Sequence, residues 1–242
     1  MMSEVYVHGV TRAGERGAIE GAGARAVVDG ELAAIVTDAA GETRAADLMR
    51  RHWQVLEAIA EQVTVVPVQF GTAMAGEDAV AAEFLAPRRQ SLDAQLAAFD
   101  GKVQLTLKGT YDEAALLRSI IDRSPAVAQL RERIRGLSEA AGHFERVRLG
   151  ELVSAEVEQA RAHDAEALHA RLDGLAVATS RESASGLQAA VNSAFLVERT
   201  RADEFARAVD AAAEEIGDRI ELRLLGPLPP YSFVAEEAPA WA

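Results

Sequence analysis

The sequence specifies an α+β chain in two domains, and three observations carry that reading. Short stretches alternate apolar and polar residues with the period of two that a half-buried strand requires, as in Ile220, Leu222 and Leu224 against Glu221 and Arg223. Longer stretches repeat apolar residues every three or four positions, as in Leu48, Val55, Leu56, Ile59 and Val63, which lays one stripe along a helix. Asp100-Gly101 closes a helical pattern where a new alternating run begins, and this sets the division into residues 1–100 and 101–242.

In the first domain, residues 4–9 form a strand, with Val5 and Val7 alternating against Tyr6 and His8. Five glycines between Gly9 and Gly23 then predict an irregular loop. Residues 25–28 and 32–36 flank Asp29-Gly30, whose tolerance of positive φ makes a tight hairpin between two strands. A helix over 44–63 follows and packs its stripe on the sheet. Residues 63–70, VTVVPVQF, are β-branched enough for a strand, which Pro67 confines to an edge or bulge. Residues 77–99 read as helical, with Pro87 predicting a kink or break.

The second domain opens with a strand over 102–108. Asp112 caps a helix to about Ile121, and Ser124-Pro125 starts another whose stripe is Val127, Leu130 and Ile134. A longer helix over 145–172 stops at Asp173-Gly174. Residues 175–181 and 187–198 are strand-like, with SASG between them as a hairpin, and a helix over 202–216 leads to the strand at 219–225. The order is β-α-β-β-α-β, a modified ferredoxin-like fold with a helical insertion in its first crossover. Gly226-Pro227 should end the ladder of the last strand, and Pro227, Pro229 and Pro230, without N–H donors, confine the segment to a sheet edge or a surface. Tyr231 and Phe233 would share one face of an extended proline-rich tail, or complete a core.

The formal net charge of -13 repels phosphate backbones and excludes nucleic acid as the expected partner. With Cys 0, the chain has no disulfide, thiol chemistry or Cys-ligated zinc, as suits a cytoplasmic protein. No stretch approaches the roughly 18 apolar residues of a membrane span, and the opening residues lack the apolar run of a signal peptide, so a soluble intracellular protein is expected. Hydrophobic content of 49% with only 5% aromatics points to Ala-rich helices rather than disorder.

Each chemical motif fails the context its chemistry needs. Gly21 to Ala26 matches G-x-G-x-x-A, but a dinucleotide fingerprint needs a strand before it and a helix after it, and here a loop precedes and a strand follows. Gly101-Lys102 is followed by Val103 rather than the Ser or Thr of a phosphate loop. Glu166 and His169 have the Glu-x-x-His spacing of di-iron bundles, without the second copy such a centre requires, so a solvated helix face is expected. His8, His52, His143, His163 and His169 show no i, i+4 pair and no zinc cage. Ser124, Ser154 and Ser180 lack a nucleophile-elbow context. The expected catalytic, cofactor-binding and metal residues are therefore none. Asp29-Gly30, the glycine-rich loop and the interrupted strand leave irregular sheet edge in the first domain, which makes it the expected docking platform for a partner.

VTVVPVQFGT at 63–72, KGTYDE at 108–113, NSAFLVER at 192–199 and GPLPPYSFV at 226–234 together resemble the gas vesicle proteins of the GvpF/GvpL family, as do the opening EVYVHGV and HWQVLEAI at 52–59. Gln69 departs from the basic residue expected in many relatives. The resemblance implies two α+β domains, the second ferredoxin-like, and a non-enzymatic accessory protein of gas vesicles. Its implied partners are the small shell protein, contacted during vesicle formation, and other accessory proteins. It brings no cofactor, and it places the protein in the cytoplasm or on the vesicle. The competing expectations are a ferredoxin-like module that senses a small ligand across a dimer, or an enzyme.

Overall fold

The computed structural model describes residues 4–39, 45–182, 186 and 188–234. The chain is α+β and packs as two compact units. One is Met1–Leu105 with Leu196–Ala202 and Gly226–Ala242; the other is Thr106–Phe195 with Asp203–Leu225.

The first unit contains strands β1 (Val5–Arg12), β2 (Arg25–Asp29), β3 (Leu32–Asp38) and the two-residue β4 (Val66–Pro67) and β5 (Ala73–Met74). Its helices are α1 (Arg16–Gly21), α2 (Ala45–Ala60) and α3 (Glu77–Ala79), the last passing through a π-helical stretch, Val80–Leu85, into α4 (Ala86–Phe99). The sheet order is β2-β3-β1-β4, with β5 also on β1, and the pairs are antiparallel. Both faces are covered, so β3 is apolar on both sides. Leu32, Ala34 and Val36 join Val80, Leu85, Leu92 and Leu96 in one cluster, while Ala33 and Ile35 join Ile19, Val55, Leu56 and Ile59 in another. A register shift between Val7 and Gly9 changes the parity of β1, which places Val5, Val7 and Val10 in the same cluster.

Three expectations for this unit are corrected. The loop from Gly9 to Gly23 is largely ordered: β1 runs on to Arg12, a 3-10 turn follows at Ala13–Glu15, and α1 anchors itself by fully buried Ile19. Gly9 serves close packing rather than freedom, because a Cβ there would lie 2.9 Å from both Leu56 Cδ2 and Val65 Cγ1. The strand expected over 63–70 shrinks to Val66–Pro67, since Pro67 offers no donor to extend the ladder. Pro87 produces no break. The π-helical stretch before it widens the turn, and Arg88 Nη1 donates to the carbonyls of Glu83 and Phe84, at 3.3 Å each, where proline has no N–H to give.

The second unit and its strand ends comprise β6 (Lys102–Tyr111), α5 (Glu113–Arg123), α6 (Pro125–Ile134), α7 (His143–Leu172), β7 (Ala178–Arg181), β8 (Ala189–Glu198), α8 (Ala202–Ile216) and β9 (Ile220–Leu228). The sheet order β7-β8-β6-β9 is consistent with a ferredoxin-like arrangement. Asp112 caps α5, its Oδ1 accepting from the Ala115 N–H at 2.7 Å. Ser124 occupies the equivalent position before α6 without making a side-chain cap. Tyr111, Leu116, Ile120, Val127, Ala160, Ala190 and Ile220 form one core cluster of this unit.

The strand expected from Leu175 begins only at Ala178, after a 3-10 turn at Asp173–Leu175. The SASG hairpin lies outside the described residues except for Gly186. Gly226-Pro227, a cis peptide, does not end β9, which continues to Leu228; as the edge of its sheet, β9 has no outer neighbour to miss the proline donor. Tyr231 and Phe233 are not on one extended face. They sit in a 3-10 turn, Tyr231 packing on the Ile19 cluster and Phe233 on the Val5 cluster. Gln104 holds the turn between them, its Oε1 accepting from Ser232 N at 2.9 Å.

Candidate functional site

Helix α2 carries an apolar stripe wider than its core contact. Val55, Leu56 and Ile59 are buried, whereas Met49 and Trp53, one turn apart, are 46% and 39% exposed. Phe70, after β4, adds a second exposed ring at 36%. Trp53 lies against Tyr231 with ring centroids 4.8 Å apart, and Phe70 meets His52 edge-on at 5.6 Å. The result is an aromatic and methionine surface on the first unit.

Beneath it runs a chain of buried hydrogen bonds. His8 Nε2 meets Thr37 Oγ1 at 2.8 Å, His8 Nδ1 meets His52 Nδ1 at 3.0 Å, and His52 Nε2 meets Tyr231 Oη at 2.7 Å. Two imidazole nitrogens at that separation share one proton, so one ring donates and the other accepts. Burial pushes His8 down to about 4, helped by the charges that His52 and Arg51 would present, and burial also lowers His52. Burial pushes the Tyr231 hydroxyl up. All these groups are neutral near pH 7. The cleft beside them, lined by Tyr6, Thr37, Asp38, Arg51 and Phe70, holds about 20 Å³, room for one water. Asp38 is engaged by Arg25, at 2.8 and 3.0 Å. The arrangement ties the aromatic surface to β1 and β3 through uncharged groups.

The sequence motifs fall elsewhere. Gly21 ends α1 and Arg25 begins β2, so a helix precedes and a strand follows, the reverse of a dinucleotide site. Glu166 and His169 part: exposed Glu166 bonds Arg181 at 2.8 Å, while His169 is buried and its Nε2 meets Ser193 Oγ at 2.8 Å. The solvated face expected for the pair therefore holds for Glu166 alone. His143 starts α7 beside Phe144, and His163 lies within α7. Ser154 lines a groove on α7, and Ser180 lies in β7. Gln69 is exposed, and its carbonyl accepts from Thr72 Oγ1 at 2.8 Å. Among the described residues no three His, Asp or Glu side chains gather as a metal-holding group, and no helix is long and apolar enough to cross a membrane.

Sequence reasoning missed the His8 and His52 pair because the residues are 44 positions apart. The available signal was His52 itself, which falls inside the apolar row Leu48, Val55, Leu56, Ile59 and so had to be buried with a partner.

The family profile described as "Gas vesicle synthesis protein GvpL/GvpF" matches residues 4–235. The chain belongs to the GvpL/GvpF family. A relative named "Gas vesicle protein F", from Streptomyces sp. (strain CB03234), is 36% identical over 245 residues, covering 95% of this chain and 98% of its own. Another of that name, from Microcystis aeruginosa (strain PCC 7806), is 23% identical over 184 residues, covering 75% of each chain. The crystal structure of GvpF from Anabaena sp. PCC7120 superposes with a TM-score of 0.81 at 17% identity, covering 98% of this chain and 100% of that one. GvpF from Microcystis aeruginosa gives 0.74 at 17% identity. At such identities the structures establish the shared fold, and membership of the GvpL/GvpF family makes this a gas vesicle protein.

Proposed function

We propose that this GvpL/GvpF-family chain is a non-enzymatic accessory of gas vesicle formation that contacts the small shell protein, as an assembly factor or a minor vesicle component, through the aromatic face of its first unit. One observation carries the choice of surface: Met49, Trp53 and Phe70 are exposed together over a buried hydrogen-bond chain that holds Tyr231 and His52 in register. Rigid aromatic anchors on a solvated surface are the usual centres of binding energy. A shell subunit prone to sheet formation needs its apolar surface covered before delivery, and an acidic, soluble partner suits that task. The irregular sheet edge of this unit is a less favoured contact, since β4 and β5 are only two residues each.

The test is capture of co-expressed shell protein by the full-length, tagged chain. Trp53→Ala with Phe70→Ala should reduce capture at least tenfold, the effect of losing roughly 1.4 kcal/mol of binding. Undiminished capture by that variant would remove the surface assignment. Capture no better than by an unrelated acidic protein, for the unaltered chain, would remove the functional reading itself.

A further inference from the structure

The strands that end the two sheets are not equally protected. β4 carries Pro67 and β9 carries Pro227, residues that blunt pairing with another chain. β2, at the end of the order β2-β3-β1-β4, has neither a proline nor a bulge, and its register with β3 runs unbroken from Arg25↔Val36 to Asp29↔Leu32. Gly30-Glu31 is a two-residue turn, which makes Asp29 and Leu32 the first hydrogen-bonded pair. Arg25, Val27 and Asp29 therefore turn their N–H and C=O groups toward β3, while Ala26 and Val28 turn theirs outward. Ala26 and Val28 are only half-buried, and among the described residues these four outward groups have no partner.

A strand that docks here must answer those four groups, and β2 of a second copy does so. In an antiparallel pair, outward residues oppose outward residues, so a two-fold axis can fall at Ala26, Val27 or Val28. Only the axis at Val27 pairs all four groups with their own kind, Ala26 of each copy opposite Val28 of the other in four hydrogen bonds. That axis also sets Arg25 opposite Asp29 at both ends, where unlike charges stabilise a cross-strand pair. An axis at Ala26 or at Val28 would set Val27 against Arg25 or against Asp29. The surrounding charge favours the same place. A molecule of net charge -13 repels its copy over most of its surface. Around β2 the charges are already paired, Arg25 with Asp38 and Glu77, and Asp29 with Arg89. The cross-strand contact extends that network and leaves no charge alone.

We propose that β2 is the contact strand of a two-fold homodimer, in which two copies pair antiparallel about Val27 and join their sheets into one. A strand of 5 residues on each side buries far less than the roughly 800 Å² per partner of a standard interface, so the dimer is weak, with a Kd on the order of 100 μM. The proposal uses neither α2 nor Phe70, so it and the shell-protein reading stand or fall separately.

Because the chain has no cysteine, a single introduced one reports the register. Val27→Cys brings two Cα atoms to about 4.5 Å at the axis, within disulfide reach, whereas Val28→Cys leaves them roughly 8–9 Å apart, beyond it. Val27 is buried and Val28 is not, so random collision would favour Val28→Cys. The expected result is the reverse, a covalent dimer forming at least tenfold faster from Val27→Cys. Sedimentation of the unaltered chain should show dimer growing through the hundred-micromolar range, and Ala26→Pro, which removes one outward N–H from an edge strand, should weaken it at least tenfold. A monomer at several hundred micromolar would overturn the proposal. So would a dimer indifferent to Ala26→Pro, or cross-linking of Val27→Cys no faster than of Val28→Cys, a comparison that holds whether or not the proline variant folds.

Discussion

In the first unit Thr37, His8, His52 and Tyr231 tie β3, β1, α2 and the terminal turn together through uncharged groups, whereas in the second Tyr111, Asp164 and Arg219 tie β6, α7 and the residue before β9 through an ion pair. Both networks join segments far apart in sequence. Their costs differ. A neutral network must only match donors to acceptors, while the buried carboxylate of Asp164 would be pushed up by its burial, and is instead held low by the hydrogen bonds from Arg219 and Tyr111. The comparison teaches that the units should respond oppositely to loss of one partner and to acid.

The largest effect separates them by mutation. Asp164→Ala leaves the Arg219 charge and the Tyr111 hydroxyl without their acceptor, and should destabilise the second unit by about 3–5 kcal/mol. Unit-resolved hydrogen exchange should show the loss on α7 and β6 and spare β1 and β3. Equal loss in both units would break the distinction.

Acid should reverse the ranking. His8 accepts a proton near its ordinary 6.5 when unfolded but only near about 4 when folded. Between those values the unfolded state binds more protons, so this stability is complete above pH 6.5 and is lost as pH falls toward 4, amounting to about 3 kcal/mol. Asp164, held below the ordinary carboxylate range, keeps its contribution until the pH falls below that range. Urea unfolding followed across pH 7 to 4 should show the first unit weakening first. His52 and His169 are also lowered by burial, so the slope should survive His169→Gln and be reduced, not abolished, in His8→Asn.

A smaller contrast concerns the central-strand glycines. In Gly9→Ala the new methyl meets Leu56, Val65 and, at 3.0 Å, the immovable carbonyl of Val66, for a cost of about 2 kcal/mol. In Gly109→Ala it meets side-chain atoms and no backbone, the movable end of Leu222 and the stiffer methyls of Val191 and Ile220, for about 1–2 kcal/mol. Chemical denaturation of the two variants measures the difference, and a costlier Gly109→Ala would refute the packing argument.

Much of this architecture was legible because local chemistry and tertiary demand agree. Asp29-Gly30 made its hairpin with Gly30 at φ +61, Asp112 capped α5, and the alternation of Ile220, Leu222 and Leu224 against Glu221 and Arg223 matches their burial. Reading failed where one residue type serves two ends. Gly9 looked like loop freedom but answers the closeness of Leu56, and Pro227, which the sequence already confined to an edge, looked like a strand stop although the edge tolerates it within β9. The aromatic surface was less legible still. Its support joins His8, His52 and Tyr231, whose only shared property in the sequence is being polar groups beside apolar runs.

The terminal turn also sets a clock. Tyr231 packs on a cluster whose other members run from Ile19 to Val65, so that cluster emerges from the ribosome long before its last piece exists. At about 5–20 residues per second, the interval is roughly 10–30 s. During it, the surface later covered by Tyr231 and flanked by Trp53 is bare on the nascent chain. A partner that recognises this face meets it first in that open form.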